Sequence, residues 1–116
     1  MRKVSSEQAK ILKNSDTSSL LEYSILLNDK DIDFCINTIT GRYPEKGYCS
    51  NEECKEICYI LDGTGIINKQ DEVVNFKQGD VILIDKKEVY YWNGNCKIIM
   101  ICTPAWYREQ CKLFDK

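Results

Sequence analysis

From Leu20 onward the chain is cut into short apolar runs by turn signals, and this punctuation limits the fold more than any other feature. "IDFCINTIT", "EICYIL", "VVNF", "VILI" and "CKIIMIC" are separated by "GRYPEKG", "DGTG", "KQGD" and "NGN". Strand-length runs divided by Asp-Gly, Gly-Asp and Asn-Gly belong to all-β sandwiches and barrels. No segment is left for the helical crossover that a parallel sheet requires. At 116 residues the chain can fill one hydrophobic core but not two. The reading is an N-terminal arm at 1–19 followed by a barrel domain at 20–116.

In the arm, "SSEQAKILKN" offers Ser5 or Ser6 as an N-cap, with Glu7 in the first turn. A short helix or an extended arm is expected there, lying on the outside or across a partner subunit. At the other end, "TPAWYREQCKLFDK" starts with a Thr-Pro boundary. It carries Trp106 and Tyr107, bulky enough to close a barrel mouth, and is expected to finish in a short helical turn.

Composition removes several functional classes. The 16 basic and 18 acidic residues are spread along the chain and leave a net charge of -2, so no basic face is available for phosphates. Nucleic acid is not an expected partner. Apolar runs such as Val81–Ile84 and Ile98–Cys102 fall far short of the roughly 20 residues of a membrane span. "MRKVSSEQAKILKNSD" has no apolar core of a secretory signal, so a soluble, cytoplasmic protein without membrane contact is expected.

The seven cysteines are an odd number, and with no export signal they argue against a disulfide framework. Cys35, Cys58, Cys96 and Cys102 lie in strand-like apolar runs and read as small core residues. In "ECKEICYIL" strand alternation puts Cys54, Glu56, Cys58 and Ile60 on one face and Lys55, Ile57, Tyr59 and Leu61 on the other. Beyond Glu56 both faces are apolar, which predicts a strand covered on both sides. A carboxylate in such a strand must be paired, hydrogen-bonded, metal-bound or protonated, which makes Glu56 the first functional candidate.

These residues resemble the cupin family of double-stranded β-helix (jelly-roll) barrels. Glu56 followed by "ICYILD" and Gly63 is similar to the second half of the first cupin motif, whose two histidine positions fall on Cys49 and Asn51. "GDVILIDKKEVYYWNG" is similar to the second motif, with Tyr90 at its histidine position. The likeness runs from about Asp33 to Thr103. A narrower likeness, to small bacterial cupins of unassigned function, rests on "GRYPEKG", "CKE", "YYW" and "TPAWYREQCK". Arg108 and Cys111 stand in that last stretch where proline and histidine are expected. The resemblance implies an all-β cupin barrel and a homodimer.

Metal cupins hold their ion with three imidazoles and a carboxylate, and this chain has no histidine. Oxygen ligands alone suit hard ions at best. Cys49, Cys54 and Cys58 with Glu56 form a thiolate alternative acceptable to zinc, although their spacing lacks the close Cys-x2-Cys pairs of structural sites. The expectation is no metal and no cofactor. In the cupin frame Cys49, Asn51, Glu56, Tyr90 and Trp92 point into the pocket and Tyr91 points away, a set suited to an apolar small-molecule site with few polar groups. Arg42 in "GRYPEKG" either clamps an anion at the rim or stabilises its own loop.

The function expected is binding of a polar or anionic metabolite, such as a sugar derivative or carboxylate, at a degenerate, histidine-free site. One alternative is a metal-independent isomerase or epimerase in which Glu56 and Tyr90 are catalytic. The other is a metalloprotein with Glu56 and cysteine ligands.

Overall fold

A computed structural model describes residues 1–115. Nine strands and one helical turn follow each other as β1 (Lys10–Ser15), β2 (Ser18–Glu22), α1 (Ser24–Leu27), β3 (Asp33–Tyr43), β4 (Tyr48–Asn51), β5 (Lys55–Lys69), β6 (Glu72–Lys77), β7 (Val81–Ile84), β8 (Tyr90–Thr103) and β9 (Cys111–Phe114). Every pairing is antiparallel, as the short connections require. The all-β expectation holds, and the sheet curls into a barrel-like shell.

The long strands β5 and β8 form its spine, pairing from Lys55↔Thr103 to Lys69↔Tyr90. The far edge of β8 carries β3 and then β4, and the far edge of β5 carries β7 and then β6. Alternation on β8 sends Tyr90, Trp92, Cys96, Ile98, Met100 and Cys102 into the core. On β5 it sends Cys58 and Ile60 inward, until a bulge between Ile60 and Asp62 shifts the register so that Ile67 is the buried residue further on.

Where the shell bends, Gly41, Gly94 and Gly65 lie side by side on β3, β8 and β5. A Cβ on Gly94 would lie 2.5 Å from the Thr64 carbonyl oxygen and 2.6 Å from the Gly65 Cα. The two backbones approach too closely for any side chain there.

Three local expectations need correction. Of the two alternatives for the N-terminal segment, the short helix does not form. Ser5 and Gln8 close a turn through the Ser5 N–H donating to Gln8 Oε1 at 2.9 Å, and Lys10–Ser15 is a strand laid on β2. Pairing Ile11 with Leu21 and Leu12 with Leu20 joins the apolar residues to the sheet, which a short isolated helix would not do. Second, "LLEYSILL", the first of the apolar runs that begin at Leu20 and by its pattern a strand, is split between strand and helix, with Ser24–Leu27 forming one turn that ends at Asn28 in the left-handed conformation. Third, the outward side chains Ile57, Tyr59 and Leu61 of β5 are exposed in the single chain, so the strand is covered on its inner face alone. The C-terminal helical turn is present as a 3₁₀ turn at Arg108–Gln110, followed by β9 on β4.

Gly94→Ala is expected to destabilise the fold by about 2 kcal/mol in urea denaturation, the usual cost of overpacking a close contact. A change below about 0.5 kcal/mol would mean that the strands separate freely at the bend.

Candidate functional site

Glu56 enters the barrel because it shares the inner face of β5 with Cys58 and Ile60, opposite Cys102 on β8 and Ile84 on β7. Asn51, the last residue of β4, donates from Nδ2 to Glu56 Oε1 at 2.8 Å. Tyr90, at the start of β8, directs its hydroxyl to the same oxygen at 3.5 Å, the outer limit of a hydrogen bond. Cys49 is the register partner of Tyr90, and both lie in the buried core cluster. Trp92 is buried edge-to-face between Phe76 and Tyr90, with ring centroids 5.5 and 6.4 Å away. Five residues singled out from sequence, Cys49, Asn51, Glu56, Tyr90 and Trp92, thus form one chain of contacts.

Arg42 is engaged elsewhere. Its guanidinium donates to the carbonyls of Pro44 and Gly47 at 3.0 and 2.8 Å and lies 3.7 Å over the Tyr91 ring. This is the loop-stabilising alternative, made through carbonyls and a ring.

The C-terminal stretch supplies residues to which sequence gave no role in the site. Asn51 Oδ1 accepts from Trp106 Nε1 at 3.2 Å and from Gln110 Nε2 at 2.9 Å. Gln110 Oε1 in turn accepts the backbone N–H groups of Glu53 and Cys54, both at 3.2 Å. Asn51 therefore has its amide orientation fixed by two donors on one side and a carboxylate on the other. "TPAWYREQCK" was the available signal, since a buried Gln and a tryptophan near a barrel mouth both need polar partners.

One atom of this network is left over. Among the described residues nothing donates to Glu56 Oε2, and no side-chain oxygen or nitrogen is both buried and unpartnered. Oε2 therefore lies against open space, in agreement with the partial exposure of the residue. A cavity of about 270 Å³ lies nearby, walled by Ile67, Val74, Ile82, Ile84, Lys69 and Tyr90. Glu56 is not on that wall, although its register partner Ile84 and its hydrogen-bond partner Tyr90 are.

Desolvation dominates the electrostatics. Burial lifts the Glu56 pKa from 4.5 to about 7; the Asn51 and Tyr90 hydrogen bonds oppose this rise and the nearby Asp33 carboxylate adds to it. Burial also pushes Cys49 up to about 12, and Cys35, Cys58, Cys102 and the Tyr90 phenol upward. At neutral pH these groups are protonated hydrogen-bond donors.

At the positions of the three imidazoles that a metal cupin uses, this chain has a thiol, an amide and a phenol, and the Asn51 amide is already engaged by Glu56, Trp106 and Gln110. Among the described residues no group of three or more Cys, Asp or Glu is arranged to hold a metal ion. The residues at this site do not fit the metal that a cupin frame implies.

No family model matches the chain, and no curated protein matches it. Among solved structures it is similar to Pac13 of Streptomyces with uridine bound, at 15% identity over 99% of this chain and 91% of that chain, with a TM-score of 0.86. Pac13 is described as a nucleoside dehydratase. A protein from Planctomyces limnophilus matches at 15% identity over 98% of this chain and 96% of that one, with a TM-score of 0.81. An RmlC-like cupin from Shewanella frigidimarina matches at 13% identity over 88% and 89%, with a TM-score of 0.68. At these identities the likeness shows the fold alone, and the fold is a cupin-like β-barrel. Among the described residues no helix is long and apolar enough to cross a membrane.

The raised Glu56 pKa has a thermodynamic consequence. Between pH 4.5 and about 7 the folded chain holds this proton more tightly than the unfolded chain does. The stability it contributes is complete below the unfolded value and is lost as pH rises through the folded one. Relative to Glu56→Gln, wild-type stability in urea denaturation is expected to fall by on the order of 2–3 kcal/mol across that window, then stay level. A pH-independent difference would show that Glu56 titrates as an ordinary carboxylate.

Proposed function

We propose that the barrel binds a small, uncharged polar metabolite of the nucleoside or sugar-derivative class, with Glu56 as the group that contacts it. The observation that carries this reading is Oε2. Asn51, itself held by Trp106 and Gln110, fixes the carboxyl through Oε1, while Oε2 has no hydrogen-bond partner among the described residues and lies against open space. Such pre-organisation by an outer layer of hydrogen bonds is how binding sites fix their polar contacts.

Charge narrows the ligand. The charged neighbour that shifts Glu56 is another carboxylate, Asp33, and no ammonium or guanidinium contributes. An anionic group placed against Glu56 would be repelled by the Glu56 and Asp33 carboxylates, so a hydroxyl or amide fits better than the carboxylate or phosphate that sequence had left open. Pac13, whose fold is similar, is seen with uridine, an uncharged nucleoside rich in hydroxyls.

A second reading is favoured by a separate observation. A carboxyl with a pKa near 7 can both take and give a proton at neutral pH, and the neutral Tyr90 phenol beside it can donate to a developing oxyanion. This would suit metal-independent isomerisation, epimerisation or elimination on the same ligand class. Glu56 would move the proton on and off carbon while Asn51 keeps its carboxyl oriented.

Ligand-observed NMR with a panel of nucleosides and free sugars, uridine and its 5′-monophosphate included, tests both readings. Uncharged members are expected to bind and the monophosphate to bind more weakly. Glu56→Gln should weaken binding about 10–100-fold, the value of a charge-assisted hydrogen bond. Incorporation of solvent deuterium into a bound ligand, lost in Glu56→Gln, would select the catalytic reading. Equal affinity of wild type and Glu56→Gln would refute a site at Glu56.

A further inference from the structure

Trp106 has a surface that the Glu56 network leaves unused. Its indole N–H is donated to Asn51, yet the residue is 44% exposed, more than any other aromatic residue among those described. An indole has a single polar atom, so with Nε1 engaged the exposed remainder of the side chain is flat and apolar.

The segment that carries this ring is fastened on both sides. The Ala105 N–H donates to the Lys30 carbonyl at 3.0 Å, and the Trp106 N–H donates to Asp33 Oδ2 at 2.8 Å. Four residues further on, Gln110 is buried and bonded to Asn51 and to the N–H groups of Glu53 and Cys54. Backbone and indole are thus both tied before any ligand arrives. Ordering a large side chain in advance removes that entropy cost from binding.

Asn51 sets the distance from this ring to the carboxyl. Its Oδ1 accepts the indole N–H at 3.2 Å, and its Nδ2 donates to Glu56 Oε1 at 2.8 Å. With the width of one amide between them, the indole nitrogen lies within about 8 Å of the carboxyl that has the free oxygen. Asp33, which holds the Trp106 backbone, is in register with Cys102, and Cys102 with Glu56, so both attachments reach one row of the sheet.

We propose that the exposed ring of Trp106 is the stacking platform for a flat heterocycle on the ligand whose hydroxyl meets Glu56, which makes that ligand a nucleoside and not a free sugar. This rests on the reading of Glu56 as the group that contacts the ligand. A nucleoside carries both parts, hydroxyls for the carboxyl and a ring face for the indole, joined across one sugar. Stacking on an aromatic side chain accepts any base, because every base has a π-face, so Trp106 selects for a ring without reading which ring it is. The indole is not needed to orient Glu56. Gln110 Nε2 holds Asn51 Oδ1 at 2.9 Å by itself, so contact with the ligand ring and orientation of the carboxyl are separable.

Binding of uridine and of ribose, followed by ligand-observed NMR and by tryptophan fluorescence, tests this. Wild type is expected to bind uridine about 10–100-fold more tightly than ribose, the value of one base stacked on an aromatic side chain. Uridine should also quench the fluorescence, and the quench should vanish without Trp106, since the other tryptophan, Trp92, is buried in the core. Trp106→Leu should bring uridine down to the affinity of ribose and leave ribose nearly unchanged, whereas Glu56→Gln should weaken both ligands alike. Trp106→Phe keeps a ring but has no N–H for Asn51, and should retain a preference for uridine of at least about 5-fold. A uridine preference that survives Trp106→Leu overturns the proposal. So does a Trp106→Phe variant that loses ribose together with uridine, because the indole then acts through Asn51. Equal binding of the two ligands to wild type overturns it while leaving the Glu56 site standing. If wild type binds neither, the reading of Glu56 as a ligand contact fails, and the role of Trp106 falls with it.

Discussion

The ladder between β5 and β8 is the constraint from which the rest of this molecule follows. Its two long strands give every other part of the barrel an edge or a face to join: β3 and β4 pair beyond β8, β6 and β7 pair beyond β5. The bulge at Ile60–Asp62 then determines which side chains enter the barrel. On one side of it the inner set is Glu56, Cys58 and Ile60, and on the other it includes Ile67, so a polar residue and an apolar floor come from one strand. A shift of one residue in this register would turn Glu56 out to solvent and Ile57 in, since strand faces alternate.

Around Glu56 the physics is of a carboxyl taken out of water and incompletely compensated. Asn51 and Tyr90 both address Oε1, and they do not cancel the cost of burial or the repulsion from Asp33. The net effect leaves a group poised between acid and base at neutral pH, backed by thiols and a phenol that remain protonated. Where a metal cupin has imidazoles, this chain has Cys49, Asn51 and Tyr90, and it contains no histidine.

Much of the fold was legible because period-two alternation and turn residues report directly on strands. "EICYIL" and "CKIIMIC" became the facing segments of β5 and β8, and Cys58, Cys96 and Cys102 became core. That Cys49, Asn51, Glu56, Tyr90 and Trp92 come together was legible only through the cupin frame, since nothing local says that residues 34 positions apart will share a hydrogen bond, as Tyr90 and Glu56 do. Gln110 and Trp106 were illegible as members of the site because their partners depend on β9 returning to β4, a long-range pairing that a four-residue strand hardly signals. The arm misled for a related reason. Ser5 and Glu7 are good helix-start residues, but Ile11 and Leu12 gain more from an existing sheet edge than from one isolated helical turn.

The central claim is that Glu56 is a partly buried carboxyl with one oxygen free, ionising near neutrality. Following its side-chain carboxyl carbon by NMR through a pH titration, assigned by comparison with Glu56→Gln, tests this most directly. The account predicts a midpoint near the value of about 7 that burial imposes, well separated from exposed glutamates, and a further upward move when Asn51 is replaced by alanine. A midpoint in the ordinary glutamate range near 4.5, unmoved by Asn51→Ala, would contradict it and remove the basis for placing ligand chemistry at this residue.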